Sequence, residues 1–148
     1  RYAKTGQWMY KRYRKLTLHI RMGRAPSTER KTMTVKEFAE QSGFRVINLA
    51  DNAGEVLIRQ AYCCDLLSIA MTKVPEGAAW VTVMSNINTL AVASLTEAAC
   101  VIVAENAATD ADFVEKAKAQ GITVLHTEQP VFDAALMVHQ GLHAESGV

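Results

Sequence analysis

The sequence predicts an α/β domain with a mainly parallel β-sheet and flanking helices. The main observation is an alternation of strands and helices, at 79–84 (strand), 89–95 (helix), 100–104 (strand), 110–120 (helix), 122–125 (strand) and 130–140 (helix). The run 100–104 is also continuously apolar, which is typical of a strand buried on both faces. Alternation of this length implies β-α-β units with parallel strands and right-handed crossovers.

The first half of the chain predicts two more helices and two more strands. Residues 35–41 place Val35, Phe38 and Ala39 at the i, i+3, i+4 spacing of a helix, and Thr34 is its candidate N-cap. The other elements are strands at 44–49 and 56–63 and a helix at 66–71 that is capped by Asp65.

Residues that begin or end helices stand at the expected places, which are Thr109 or Asp110, Gly121, Pro130 and Gly141. Gly141 is expected to end the last helix. His139 and His143 lie on either side of it, so we do not expect them to share one helical face. No metal site is therefore predicted from this pair.

Charge divides the chain into a basic arm and an acidic domain. Residues 1–32 contain ten Lys or Arg and one Glu, whereas the remaining residues contain six basic and fourteen acidic side chains. We predict an arm at 1–32, a domain at 33–143 and a tail at 144–148. The favoured interpretation is that the arm is disordered or not native, because Met33 resembles a natural start. Its bases and aromatic residues suggest nucleic-acid binding as an alternative, and a basic membrane-surface helix is a weaker one.

Several function classes lack their sequence signals. The eight glycines are too widely spaced for a G-x-G-x-x-G turn or a P-loop. The chain has no G-x-S-x-G, H-E-x-x-H or C-x-x-C motif, and no apolar run approaches the roughly 20 residues that span a bilayer. We therefore expect no catalytic residues, no cofactor, no metal and no membrane partner.

The three cysteines form no disulfide framework, which favours a reducing compartment and predicts a cytoplasmic protein. Cys63 and Cys64 are adjacent, and adjacent side chains on a strand point to opposite faces. This arrangement disfavours joint binding of zinc. We interpret them as small apolar side chains packed in the sheet, with redox sensing as the alternative.

Polar residues cluster at two predicted strand-to-helix junctions. Asp65 follows one strand, and Ser85, Asn86 and Asn88 follow another. Parallel sheets bind ligands at such junctions, because helix N-termini and loop side chains converge beyond the carboxyl ends of the strands. We predict a ligand site from these four residues. The alternative, which is favoured for any one of them taken alone, is that Asp65, Ser85 and Asn86 only cap helices. His126, after the strand 122–125, is interpreted as an ordinary loop histidine, and a hydrogen bond to a ligand at the edge of the sheet is the alternative.

Three segments carry a resemblance, namely Y-x-C-D-L-L-S at 62–68, W-x-T-x-M-S-N-x-N-x-x-A-V-A at 80–93 and C-V-I-V-x-E at 100–105. Together they resemble the short stand-alone DRTGG-domain proteins of bacteria and archaea, over about residues 34–142. The sequence departs from that family at 59–61, where the paired glycines of its name are missing.

The resemblance implies a fold like the N-terminal domain of HPr kinase/phosphorylase, a tendency to form homodimers and a regulatory role. Related domains stand beside CBS domains in regulated pyrophosphatases and ahead of phosphotransacetylase catalytic domains. The kinase's phosphate loop is absent, so kinase activity is not implied.

We therefore predict a non-catalytic, dimeric regulatory domain that binds a small metabolite, such as a nucleotide or phosphorylated compound, or a partner protein. A small hydrolase or phosphotransfer enzyme with Asp65 as acid or base and Cys64 as nucleophile is the second hypothesis. It lacks an adjacent histidine to activate the thiol. Nucleic-acid binding through residues 1–32 is the third hypothesis, and it requires that the arm be native.

Overall fold

The computed structural model of the protein describes residues 31–144. Its strands are β1 (Arg45–Asn48), β2 (Gln60–Cys63), β3 (Ala78–Thr82), β4 (Cys100–Val103) and β5 (Val124–His126). They form one sheet in the order β1-β5-β4-β3-β2. The four strands from β2 to β5 pair in parallel, whereas β1 pairs antiparallel with β5. The predicted class, α/β with a mainly parallel sheet, is confirmed.

Five helices cover the two faces of the sheet, namely α1 (Val35–Ser42), α2 (Leu67–Lys73), α3 (Ile87–Leu95), α4 (Ala111–Gln120) and α5 (Val131–His143). One buried cluster joins one face of the sheet to α1 and α5. The other joins the opposite face to α2, α3 and α4. Within residues 31–144, no helix is both long enough and apolar enough to cross a membrane.

The central strands β3 and β4 are buried along their whole length. Val81 and Ile102 pack toward α1 and α5, while Trp80 and Val103 pack toward the other three helices. Alternate side chains on a strand point to opposite faces, so a strand between two helical layers needs apolar residues at every position. This explains the continuous apolar run of β4.

The predicted strand at 56–63 is shorter in the structure, because only Gln60–Cys63 joins the sheet. The preceding residues pair instead with the segment that leads into α1. The Val35 N–H donates to the Val56 carbonyl at 2.9 Å, and the Ile58 N–H donates to the Met33 carbonyl at 2.9 Å. These hydrogen bonds satisfy backbone N–H and C=O groups that lie outside the sheet.

The predicted end of the last helix at Gly141 is wrong, since α5 continues to His143. A Cβ atom at Gly141 would lie 3.1 Å from both Sδ and Cε of Met33. The glycine therefore lets the buried Met33 side chain approach the helix closely, and this packing offsets the weak helix propensity of glycine.

The prediction that His139 and His143 do not share one helical face is therefore also wrong. The rings of His139 and His143 stack with centroids 4.1 Å apart. Nδ1 of His143 donates to the His139 carbonyl at 2.8 Å. Within residues 31–144 no group of three or more His, Cys, Asp or Glu side chains is arranged to hold a metal ion.

Helix α4 has the cap that the sequence predicts. The Asp110 carboxylate accepts a hydrogen bond from the Phe113 N–H at 2.7 Å, and Gly121 ends the helix in the left-handed conformation. We expect Asp110→Ala to lower the free energy of unfolding by about 1 kcal/mol, because an N–H group of the first turn loses its partner. Urea denaturation measures this change. Asp51→Ala, which removes the same charge from an exposed turn, should change stability by less than about 0.5 kcal/mol. Equal losses in both variants would contradict the assignment of the cap.

Candidate functional site

The candidate site lies at the edge of the sheet where β2, β3, β4 and β5 end together. We call this region the carboxyl edge and define it as residues 64–65, 83–88, 104–110 and 127–129, the segments that follow these four strands. Because the four strands are parallel, their carboxyl ends meet at one edge. The carboxyl edge contains all four predicted site residues.

Asp65 connects the end of β2 to the end of β3. Its Oδ1 accepts hydrogen bonds from the Thr82 hydroxyl and from the Val83 N–H, both at 2.9 Å. The prediction that Asp65 caps α2 is wrong, because Leu66 occupies the N-cap position and that helix has no side-chain cap. Asp65 is exposed. Its second carboxylate oxygen makes no hydrogen bond with any residue of the described chain and remains available as an acceptor.

Asn86 caps α3, which confirms the capping interpretation for this residue. Its Oδ1 accepts from the N–H groups of Asn88 and Thr89 at 3.0 and 3.3 Å. The side chain of Asn88 is exposed and forms no hydrogen bond among residues 31–144. Of these two amides, Asn88 is therefore the one whose oxygen is also free of partners within the described residues.

Ser85 contacts the next loop along the carboxyl edge instead of capping α3. Its hydroxyl donates to the Ala108 carbonyl in the loop between β4 and α4. On the other side of that loop, Nε2 of His126 donates to the Ala107 carbonyl at 2.9 Å. The loop is therefore held from one side by the segment that follows β3 and from the other side by the end of β5.

The interpretation of His126 as an ordinary loop histidine is wrong. His126 is the last residue of β5 and is only 6% exposed. The sequence pattern predicts that this strand ends at residue 125, whereas β5 ends one residue later, at His126. The hydrogen bond from Nε2 to the Ala107 carbonyl lowers the free-energy cost of burying the polar ring.

The loop after β4 has an unusual backbone. Glu105 and Asn106 both adopt left-handed conformations, with φ of 58° and 52°. Two hydrogen bonds hold this turn, from the Glu105 N–H to the Gln129 carbonyl at 2.9 Å and from the Asn106 N–H to the Thr127 carbonyl at 3.0 Å. The Glu105 carboxylate also accepts from the Val131 N–H at 3.0 Å, which places the start of α5 against this turn.

A buried hydroxyl near α3 lacks a partner. Thr89 lies in the first turn of α3 and is fully buried, yet its Oγ1 makes no hydrogen bond with any residue that the structure describes. Buried polar side chains in proteins are nearly always hydrogen-bonded. An unpaired hydroxyl next to Asn88 is therefore a second polar feature at this helix start.

The prediction that both thiols of the cysteine pair are packed is wrong for Cys63, whereas Cys64 packs against the buried cluster that includes α2, α3 and α4. Cys63 is exposed and Cys64 is half-buried, while Cys100 is fully buried. Desolvation raises the pKa of the Cys63 thiol, and the nearby negative charge of Asp65 raises it further. A raised pKa lowers the thiolate fraction of Cys63 at neutral pH and therefore disfavours redox sensing by this residue.

Sequence reasoning missed a cleft at one end of the carboxyl edge, beside β5. It has a volume of about 470 Å³ and is lined by Gly43, Phe44, Arg45, Asn106, His126, Thr127, Glu128 and Gln129. None of the four predicted site residues lines it. Arg45 and His126 face each other only because β1 pairs with β5, and no local pattern reveals the pairing of residues so distant in the sequence.

Comparison with protein-family models gives no match to this chain, and comparison with curated protein sequences gives none either. Among solved structures, the chain is similar to the CBS and DRTGG domains of the regulatory region of Clostridium perfringens pyrophosphatase, complexed with the activator diadenosine tetraphosphate. The TM-score is 0.60 and the sequence identity is 16%. The match covers 74% of this chain and 47% of that one, so this chain spans less than half of the matched structure. At this identity the likeness shows a common fold.

Proposed function

We propose that this domain is a non-catalytic ligand-sensing regulatory domain that binds a small metabolite at the carboxyl edge. The observation that carries the proposal is the start of α3, where the Asn88 side chain has no partner among residues 31–144. Asp65 lies at the same edge of the sheet and is hydrogen-bonded to the end of the strand that leads into that helix. The regulatory region with the same fold supports the sensing role, since its structure contains an activator nucleotide.

The chemistry of the site favours a nucleotide or another phosphorylated compound. Helix N-termini attract phosphate groups, because the helix dipole and free N–H groups favour negative charge. The exposed oxygen of Asp65 can accept a hydrogen bond from a ribose or sugar hydroxyl. Asn86 already occupies two N–H groups of α3, so direct ligand contact falls mainly to Asn88 and Asp65. Ser85 and Asn86 then fix the positions of the loop and the helix.

A thermal-shift titration of the full chain with nucleotides, sugar phosphates and acyl phosphates tests this function. A ligand present at a hundred times its dissociation constant adds about 2.7 kcal/mol of stability. We expect Asn88→Ala and Asp65→Asn to weaken binding at least about tenfold. In Asp65→Asn, Oδ1 remains to accept from Thr82 and Val83, so the fold is retained while the free carboxylate oxygen is lost.

Asn52→Ala is the matched control, because Asn52 is an exposed amide outside the carboxyl edge. The ligand must also be recovered chemically unchanged, since turnover that Asp65→Asn abolishes would favour an enzyme instead. The proposed site would be contradicted if no compound of the panel bound, or if neither site variant weakened the binding.

We also propose that the domain is a homodimer that resembles the stand-alone DRTGG-domain proteins. Light scattering should then give a mass near twice the 16.2 kDa of the chain. A monomer at micromolar concentration would contradict this part of the proposal without affecting the ligand site.

A further inference from the structure

The cleft lined by Arg45 and His126 is separate from the residues of the proposed function. We call it the His126 cleft and define it by the eight lining residues given above. It lies between the end of α1, the start of β1 and the loops that follow β4 and β5. Its volume of about 470 Å³ falls within the range of small-molecule sites, roughly 300–1,000 Å³.

The β-sheet brings a cation and an imidazole together in this cleft. Arg45 and His126 are direct partners in the antiparallel pairing of β1 and β5, and directly opposed residues place their side chains on the same face of a sheet. Arg45 is exposed and forms no ion pair within residues 31–144. The imidazole is held by its hydrogen bond to the Ala107 carbonyl, so Nδ1 is the ring nitrogen left to contact a ligand.

The other lining groups extend the polar surface around this pair. Asn106 and Gln129 contribute amide side chains, and the left-handed backbone at Asn106 is held by its bond to Thr127. Glu128 also lines the cleft and can accept hydrogen bonds from hydroxyl or amino groups. A guanidinium group binds planar or tetrahedral oxyanions through paired N–H groups.

We propose that the His126 cleft is a second ligand site, for a small hydroxylated metabolite that carries an oxyanion, either phosphoryl or carboxylate. The oxyanion pairs with Arg45, while the amides and Glu128 contact its hydroxyl groups. This proposal does not depend on the proposed function, because none of Asp65, Ser85, Asn86 and Asn88 lines the cleft.

An NMR titration of the isotopically labelled full chain tests this site with two probes, ribose 5-phosphate and citrate. We expect saturable shifts of the backbone amides of Arg45, His126 and Gln129 with at least one probe. Saturation by ribose 5-phosphate alone identifies a phosphoryl ligand, saturation by citrate alone identifies a carboxylate ligand, and saturation by both identifies a general oxyanion site.

Arg45→Gln should weaken this binding at least tenfold, and Arg59→Gln is the matched control. Arg59 is exposed, lies outside the cleft and pairs with Glu76 at 3.5 Å, so its replacement removes the same charge. The spectrum of each variant reports whether the fold is retained. His126→Gln supplies a second variant, in which loss of the ring should also weaken binding.

The absence of saturable shifts with both probes would overturn the proposal. So would equal weakening by Arg45→Gln and Arg59→Gln, since this would indicate general charge attraction. Asn88→Ala should leave binding in the His126 cleft unchanged. This variant therefore distinguishes failure at the cleft from failure of the proposed function.

Discussion

Trp80→Ala is expected to lower the free energy of unfolding by about 3–5 kcal/mol. Trp80 lies on the central strand β3 and is fully buried, so the substitution leaves a large cavity between the sheet and the helices α2, α3 and α4. It also removes the hydrogen bond from the indole Nε1–H to the Cys64 carbonyl at 3.0 Å. Small domains are stable by only about 5–15 kcal/mol, so this loss is a substantial part of the total.

Urea denaturation of Trp80→Ala and Trp80→Phe separates the two contributions. Trp80→Phe keeps most of the ring volume but leaves the Cys64 carbonyl without its donor, so we expect a smaller loss of about 1–3 kcal/mol. A loss below about 1 kcal/mol in Trp80→Ala would contradict the position of this residue in the core. Trp80 is fully buried and therefore fills the core.

Alkaline pH is expected to destabilise the protein through Cys100. Complete burial raises the pKa of this thiol from 9.0 to about 12. The folded state therefore holds the proton more tightly than the unfolded chain does. The resulting stability is fully present below about pH 9 and is lost as the pH rises toward 12. Each pKa unit corresponds to about 1.4 kcal/mol, so the loss approaches about 4 kcal/mol.

Cys100→Ala isolates this effect, because the lysines and tyrosines that also titrate in this range are the same in both proteins. The measurement is the free energy of unfolding of each protein at pH 7, 9, 10 and 11. We expect the wild-type protein to lose more stability above pH 9 than Cys100→Ala does. Parallel pH profiles would show that ionisation of Cys100 does not contribute.

Much of the fold could be predicted because its signals are local. The apolar run of β4 indicates burial on both faces. Asp110 and Gly121 mark the two ends of α4, and each acts on backbone groups within one turn of its own position. Asn86 likewise caps the helix that it precedes. In each case the residue type satisfies backbone groups or packing at its own position, so no knowledge of distant residues is needed.

The errors occur where a distant partner decides the structure. Asp65 is a residue type typical of helix caps, but its partners are Thr82 at the end of β3 and Val83 directly after it. Glycine is typical of a helix end, but at Gly141 the helix continues because Met33, which is remote in the sequence, packs against it. The His126 cleft depends on the same kind of contact, because Arg45 is brought opposite its partner only when β1 joins β5.

The central claim is that the carboxyl edge binds a small phosphorylated metabolite without transforming it. The most direct test is an NMR titration of the full chain with nucleotides and sugar phosphates, in which backbone amide shifts are mapped onto the structure. We expect saturable shifts at Asp65 and at residues 83–89, with the ligand unchanged at the end of the titration. Shifts that remain absent for every compound, or that occur only away from Asp65 and residues 83–89, would contradict the claim.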